Sequence, residues 1–329
     1  MRWEARGYRP GDEEAILELF RVVFGEAKMT LAIWNWLYRE NPEPDPIIGL
    51  AFDQETRALV AHGAVLPLPA LLRGRRATFG LAMDAMTDPA VRGAALGRRG
   101  AFVLAAEQVI GRIVPRMPLA YGFPGERHLA LGRLLLGYEP IGPVPSLGRA
   151  LDPPGEMRRE RFLAPWKIHR VLRFGVRADE LWRAVRRDYP LALYRNSRYL
   201  NWRYFKIPHH RYRVFALTGR LGRWKGWAVL SVEGKTARLV DLFVPRGIPD
   251  GTESLVRRAL DEAARMGAER CVAWMPKHSP GRPLLEKLGF LPEPEEEQDF
   301  LAVRIHDRTL TKEAVERSFH FQMGDSDMF

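Results

Sequence analysis

The chain has 329 residues, 46% of them hydrophobic, and a formal net charge of +11 from 51 basic and 40 acidic residues. That length predicts more than one domain. No apolar run is long enough to span a membrane, and the opening MRWEARGYRP lacks a signal-peptide core, so a soluble, cytoplasmic protein is expected. The single cysteine, Cys271, excludes an internal disulfide and a cysteine cluster, and eight scattered histidines without metal-ligand spacing predict no structural or catalytic metal. The positive balance suits an acidic partner such as a phosphorylated cofactor or a nucleic acid. With eight lysines against 43 arginines, genomic base composition or a hot habitat explains the charge equally well.

Tyr8–Gly25 opens with Pro10 and Asp12 and sets Ile16, Leu19, Phe20, Val23 and Phe24 on one face, predicting a capped amphipathic helix. Thr30–Arg39, with Trp34, Trp36 and Tyr38, predicts a second helix ending at Asn41-Pro42. Ile47–Phe52 and Leu59–Leu66 are apolar runs around the polar turn Asp53–Arg57 and predict an antiparallel hairpin.

Leu81–Arg112 then reads as an apolar strand, a turn opened by Pro89, and a long helix starting near Leu96. The turn is rich in small residues, carries Arg92 and the Arg98–Arg99 pair, and has no acidic residue between Asp88 and Glu107. Outward backbone N–H groups, small side chains and guanidinium groups together make an anion site. A Walker loop is excluded because no lysine occurs between Lys28 and Lys167, and the dinucleotide pattern is only half met by Gly97-x-x-Gly100.

The order strand, Pro89, Arg92-x-x-Ala95-x-Gly97 resembles the pyrophosphate-binding signature of the GCN5-related N-acetyltransferase (GNAT) superfamily, Arg/Gln-x-x-Gly-x-Gly/Ala, with Ala95 in the place of the first glycine. The following strand Pro118–Gly122, the helix Leu129–Leu136, its Gly137-Tyr138 ending and a strand near Val144 are similar to the rest of that family's element order. The Gly122-Phe123-Pro124 segment and the chain's ending are similar to those of bacterial tandem members.

The pattern recurs beyond a polar segment, Asp152–Arg161, which reads as a linker. Asn35-Trp36-x-Tyr38-x-x-x-Pro42 is echoed by Asn201-Trp202-x-Tyr204-x-x-x-Pro208 at identical spacing. A helix at Arg177–Asp188, strands at Tyr212–Leu217, Gly226–Val232 and Ala237–Pro245, a helix at Glu253–Gly267, a strand at Arg270–Met275 and the stretch Leu284–Phe290 complete a second copy. The expectation is therefore an α+β fold with mixed sheets, two tandem GNAT-like domains at 1–150 and 166–310, a linker at 151–165, and a helix and tail at 311–329. The Trp/Tyr box is expected in the core. In the tail, Asp325 and Asp327 read either as solvated turn residues or as a cation site.

The resemblance implies acyl transfer from acetyl-CoA to a small-molecule amine or amino sugar, by direct attack of the amine on the thioester. It implies a cofactor loop of Met86, Thr87, Arg92, Gly93, Ala94, Ala95, Leu96, Gly97 and Arg98. It points to Asp84 as base, with a pKa raised by burial among Met83, Ala85 and Met86; the other reading of Asp84 is a structural acceptor for a neighbouring loop. The position of the family's acid tyrosine is Arg133 in the first copy and Leu285 in the second, so Arg133 is the candidate to stabilise the departing thiolate, with His128 and Tyr121 nearby. In the second copy Pro249 removes a donor and Asp250 adds negative charge at the helix start, which predicts that only the first copy holds acyl-CoA. Two other readings stay open. One is an aminoacyl-tRNA-dependent transferase using the arginine-dense stretch Arg158–Arg187, and the other is a non-catalytic binding protein on a degenerate pair.

Overall fold

The structure, a computed structural model, describes residues 2–25, 28–43, 45–93, 97, 99–153, 166–294 and 299–328. The first elements are β1 (Trp3–Gly7), α1 (Glu13–Phe24), α2 (Leu31–Tyr38), β2 (Ile47–Asp53), β3 (Leu59–Leu72), β4 (Arg75–Thr87), α3 (Ala101–Ile113), β5 (Leu119–Gly122), α4 (Glu126–Leu135) and β6 (Glu139–Pro143). Next come β7 (Ser146–Ala150), β8 (Lys167–Val171), α5 (Val176–Val185), β9 (Leu191–Leu193), α6 (Ser197–Phe205), β10 (Arg213–Thr218), β11 (Trp224–Glu233) and β12 (Thr236–Phe243). The last are α7 (Pro249–Arg265), β13 (Arg270–Trp274), α8 (Arg282–Lys287), β14 (Leu291–Pro292), β15 (Phe300–Ile305), α9 (Lys312–Ser318) and β16 (Phe319–His320).

Two compact units result. The first holds Met1–Ala70, Arg76–Gly142 and Asp299–Glu316. Its strands run in the order β1-β2-β3-β4-β5-β15-β6, with β1, β2 and β3 antiparallel and β4 parallel to β5. Two parallel neighbours require a crossover, and α3 supplies it. One face of α3 is buried, with Ala101 and Ala105 against Trp3, Ala51 and Val60, and Val109 and Ile113 against Ile47, Val65 and Ala120. Burying each of the larger apolar side chains contributes about 1.5–3 kcal/mol. The helix lies so close that a Cβ on Gly49 would collide with the Ala105 carbonyl.

The second unit holds Leu71–Arg75, Pro143–Gln298 and Arg317–Phe329, with strands in the order β14-β7-β13-β12-β11-β10-β8. Within that order β12 and β13 are parallel, bridged by α7, whose Leu255, Val256, Ala259, Leu260 and Ala263 are fully buried in the main core. The aromatic box is core in both units: Trp36, Tyr38, Trp202 and Tyr204 are all buried.

Contiguous copies ending at 150 and 310 were expected, and here the structure differs. Ser146–Ala150, from the end of the first copy, pairs with β13 and β14 in the second sheet. Phe300–Ile305, from the second, pairs with β5 in the first. Each copy has given one strand to the other's sheet, so the expected boundaries cut through both. Most of the expected linker, residues 154–165, lies outside the described residues.

α3 starts at Ala101 and not near Leu96, because Gly97 takes a left-handed φ of 97° and Gly100 is extended. A helix cannot run through either conformation. Asp12 precedes α1 without capping it through its side chain, which is instead paired with Arg6.

Candidate functional site

The first unit's chemistry gathers where β4 stops pairing with β5. Their register covers Gly80 with Ala120 and Leu81 with Tyr121. Three residues later Asp84 adopts a φ of 54°. A non-glycine residue in this left-handed region costs about 1 kcal/mol or more unless its surroundings hold it.

Two side chains do so. The Tyr38 hydroxyl, from α2, donates to Asp84 Oδ2 at 2.5 Å. From β3, His62 places Nδ1 2.7 Å from the Asp84 carbonyl oxygen, so Nδ1 carries the proton and donates. His62 is fully buried, and burial pushes its pKa down to about 4 despite the carbonyl partner, so the imidazole is neutral. Among the described residues its Nε2 has no hydrogen-bond partner, and the ring packs at a steep angle against Phe20.

Beyond this bulge, Ala85, Met86 and Thr87 face a cavity of about 410 Å³. Arg92 and Phe102 wall it on the side where α3 begins, Gly125–His128 and Leu131 come from the start of α4, and Val23 and Phe24 from the end of α1. Arg92 is half-buried, and its Nε donates to the Thr87 carbonyl at 3.2 Å. His128 packs edge-on against Phe102 and beside Tyr138, and burial lowers its pKa below the ordinary histidine value.

Of the expected cofactor residues, Met86, Thr87 and Arg92 line this cavity, while Gly93 and Gly97 are exposed in the turn. Ala94, Ala95, Leu96 and Arg98 lie outside the described residues. Asp84 is half-buried beside the cavity-lining residues, held by Tyr38 of the repeated box.

Arg133 is a correction. It is exposed on α4 and does not line the cavity. α4 begins at Glu126, three residues before the expected start, because the Gly125 carbonyl already accepts the Leu129 N–H. That early turn brings Glu126, Arg127 and His128 to the cavity wall and leaves Arg133 on the outer face. Leu285, the second-copy equivalent, is fully buried in α8.

Sequence reasoning missed His62, Phe102, Arg127 and Leu131. Val23 and Phe24 lie on the apolar face expected of α1, yet both line the cavity and Phe24 is 48% exposed.

The second unit repeats the arrangement around β12. The Tyr204 hydroxyl donates to Asp241 Oδ2 at 2.9 Å, as Tyr38 does to Asp84. The β11–β12 register slips between Val229 and Leu230, which pair with Asp241 and Leu239. Here, however, the carboxylate is fully buried and paired with Arg195 at 3.1 Å. α7 starts at Pro249, four residues before the expected Glu253, so Pro249 is its first residue and Asp250 sits in its first turn.

No family model and no curated protein matches the sequence. Solved structures do match. A GCN5-related N-acetyltransferase from Anabaena variabilis superposes with a TM-score of 0.68 at 14% identity, over 93% of this chain and 73% of that one. A GCN5-related N-acetyltransferase from Kribbella flavida gives 0.63 at 16%, over 93% and 71%. The chain has a tandem GNAT fold. Saccharomyces cerevisiae N-myristoyltransferase, with myristoyl-CoA bound, is a third match, at a TM-score of 0.56 and 11% identity over 92% of this chain and 77% of that one.

Among the described residues no helix is long and apolar enough to cross a membrane, and no three His, Cys, Asp or Glu side chains converge as a metal site.

Proposed function

We propose that this tandem GNAT chain is an acyl-CoA-dependent N-acyltransferase whose first copy binds the acyl donor, with acetyl-CoA as the donor and a small-molecule amine or amino sugar as the acceptor. The observation that carries the reading is the splayed edge Ala85–Thr87 opening on a cavity bordered by Arg92 and the start of α3. A strand edge without a neighbour offers backbone N–H and C=O groups to the amides of a pantetheine arm, as in strand addition. Arg92, with the small residues Gly93 and Gly97, supplies the cationic site for the pyrophosphate. Donor-bound N-myristoyltransferase shares the fold, which supports an acyl-CoA ligand.

In this scheme the acceptor's nitrogen attacks the thioester carbonyl carbon and passes its proton to Asp84. The C–S bond breaks, and the sulfur leaves as a thiolate that becomes protonated, giving an amide and free CoA. His128, neutral and on the cavity wall, takes the part of hydrogen-bond donor to the departing sulfur. Arg133 has no role in it.

The test is thermal stability with and without acetyl-CoA, for the wild type and for Arg92→Glu. A donor at about a hundred times its dissociation constant adds roughly 2.7 kcal/mol to the folded state. The expected result is a clear rise in Tm that the variant loses, followed by release of free thiol when amines are supplied. No rise at millimolar donor would sink the reading. A rise without turnover across an amine panel would instead support a non-catalytic acyl-CoA binder, the reading favoured by the exposure of Arg133.

A further inference from the structure

Residues 319–326 are buried, so Asp325 is not the solvated turn residue that was one of its two sequence readings, whereas Asp327 is exposed. Asp325 is 1% exposed, and Gln322, Met323, Gly324 and Ser326 are buried with it. They lie on the second unit's bulge, where the first unit has its cavity edge. Leu242 follows Asp241 as Ala85 follows Asp84. The Leu242 N–H donates to Gln322 Oε1 at 2.7 Å, and the Leu242 carbonyl accepts from Gln322 Nε2 at 3.2 Å. One side-chain amide thus satisfies both backbone groups of the residue after the bulge.

The rest of the segment is held in the same polar manner. Asp325 Oδ2 accepts from Arg195 at 2.6 Å and from the Gln322 N–H at 3.0 Å. Burial alone would lower the Arg195 guanidinium, but the carboxylates of Asp241 and Asp325 hold it well above the ordinary arginine value. The Gly324 carbonyl accepts from Arg203 Nε at 2.8 Å. Position 324 admits only glycine, because a Cβ there would collide with the Tyr204 hydroxyl. Upstream, Phe319 and His320 add a parallel strand to Leu191 and Ala192.

Strand addition, a charged clamp, a glycine-only position and an amide reading a backbone pair are the means by which proteins recognise an extended peptide. We propose that the second copy is a peptide-binding site, loaded in cis with Phe319–Ser326, and that it selects the pattern Gln-x-Gly-Asp. The ligand class is an extended peptide with a glutamine amide and an aspartate three residues apart. The site occupies the second copy's counterpart of the proposed acyl-CoA edge, and it rests on that reading for nothing but the comparison; its tests use no acyl-CoA.

The first test is native-state hydrogen exchange on the full wild-type chain. A bound segment opens without unfolding its host, so the amides of Leu242, Gln322 and Asp325 should exchange together, about tenfold or more faster than the β11–β12 ladder. Exchange of all of them only with the ladder would make the segment ordinary core and overturn the proposal.

The second test uses full-length Gly324→Val, which should evict the segment, and a labelled synthetic peptide of residues 318–329. The folded variant should bind it saturably, and wild type should bind it at least about tenfold more weakly, since a tethered copy competes at high effective concentration. A peptide with the same glycine-to-valine change should not bind. A folded variant that ignores the peptide, or binds both peptides alike, would refute the assignment. If Gly324→Val does not fold, Gln322→Ala takes its place: loss of Leu242 amide protection with the ladder intact supports the proposal, and unchanged protection contradicts it.

Discussion

The two bulges of this molecule begin alike and end differently. Each has an aspartate on a splayed central strand and a tyrosine from the repeated Asn-Trp-x-Tyr helix bonded to its carboxylate. In the first unit the bulge is fixed from within the sheet, by His62 on the Asp84 carbonyl, and the next three residues remain at a cavity. In the second, Gln322 holds the residue after the bulge, and Arg195 neutralises the aspartate. The same duplicated framework is thus open where its supports come from behind the edge and closed where they lie on top of it.

The sharpest way to break this comparison is to remove the second unit's cation. Arg195→Met leaves Asp241 and Asp325 buried beside each other without a counter-charge, and breaking such a cluster costs about 3–5 kcal/mol. Denaturant unfolding should show a loss of that size. The same carboxylate in the first unit is half-buried, so Asp84→Asn should cost stability little and should instead lower acyl transfer about 10²–10⁴-fold, the usual worth of a positioned base. Equal destabilisation by Asp84→Asn and Asp241→Asn, with acyl transfer intact in both, would remove the functional distinction between the two bulges.

Much of this asymmetry was legible in the chain, and the reason is periodicity. The helices bury one stripe and the hairpin strands flank a polar turn, so α1, α2 and β2 emerge close to their expected limits, while β3 starts at the expected Leu59 but runs on past Leu66 to Leu72. The repeat of Asn-Trp-x-Tyr places Tyr38 and Tyr204 on matching helices. The strand exchange was not legible, since Ser146–Ala150 and Phe300–Ile305 are short strands whose patterns fit either sheet. His62 gave no signal because a lone histidine in an apolar strand looks like core, and its purpose depends on a carbonyl 22 residues away. Val23 and Phe24 continue the apolar stripe of α1 one turn past the point where the core ends. In the closing segment Asp327 is exposed as a solvated turn residue would be, while the burial of Asp325 depends on the Arg195 guanidinium 130 residues away, which local sequence does not reveal.

A smaller effect tests the support of the first bulge directly. His62→Leu keeps the volume roughly constant but leaves the Asp84 carbonyl without its donor, a loss of about 1–3 kcal/mol for a buried acceptor. The damage should appear as a weaker donor-induced Tm shift as well as a lower Tm, because the strain at Asp84 is transmitted to Ala85–Thr87. His62→Asn should recover most of both, since its amide N–H can sit where Nδ1–H does. If Leu and Asn behave alike, His62 fills space and does not position the bulge.

The mildest expected effect is in the pH dependence. Burial holds the His62 pKa at about 4 in the folded chain, against about 6.5 in an unfolded one, so between those values the unfolded state binds more protons. Stability must therefore rise with pH across this window: the contribution is fully present above about 6.5 and is lost as pH falls toward 4. One such group contributes a slope of at most about 1.4 kcal/mol per pH unit. His128 and His306 are shifted in the same direction by burial and add to the slope of the wild type. His62→Asn keeps a donor on the Asp84 carbonyl and removes one titrating group, so urea midpoints should change less between pH 4.5 and 7 than in the wild type. Parallel pH profiles for the two proteins would mean that the histidine is protonated without unfolding, and that the clamp on the bulge is looser than a fully buried imidazole on a 2.7 Å hydrogen bond allows.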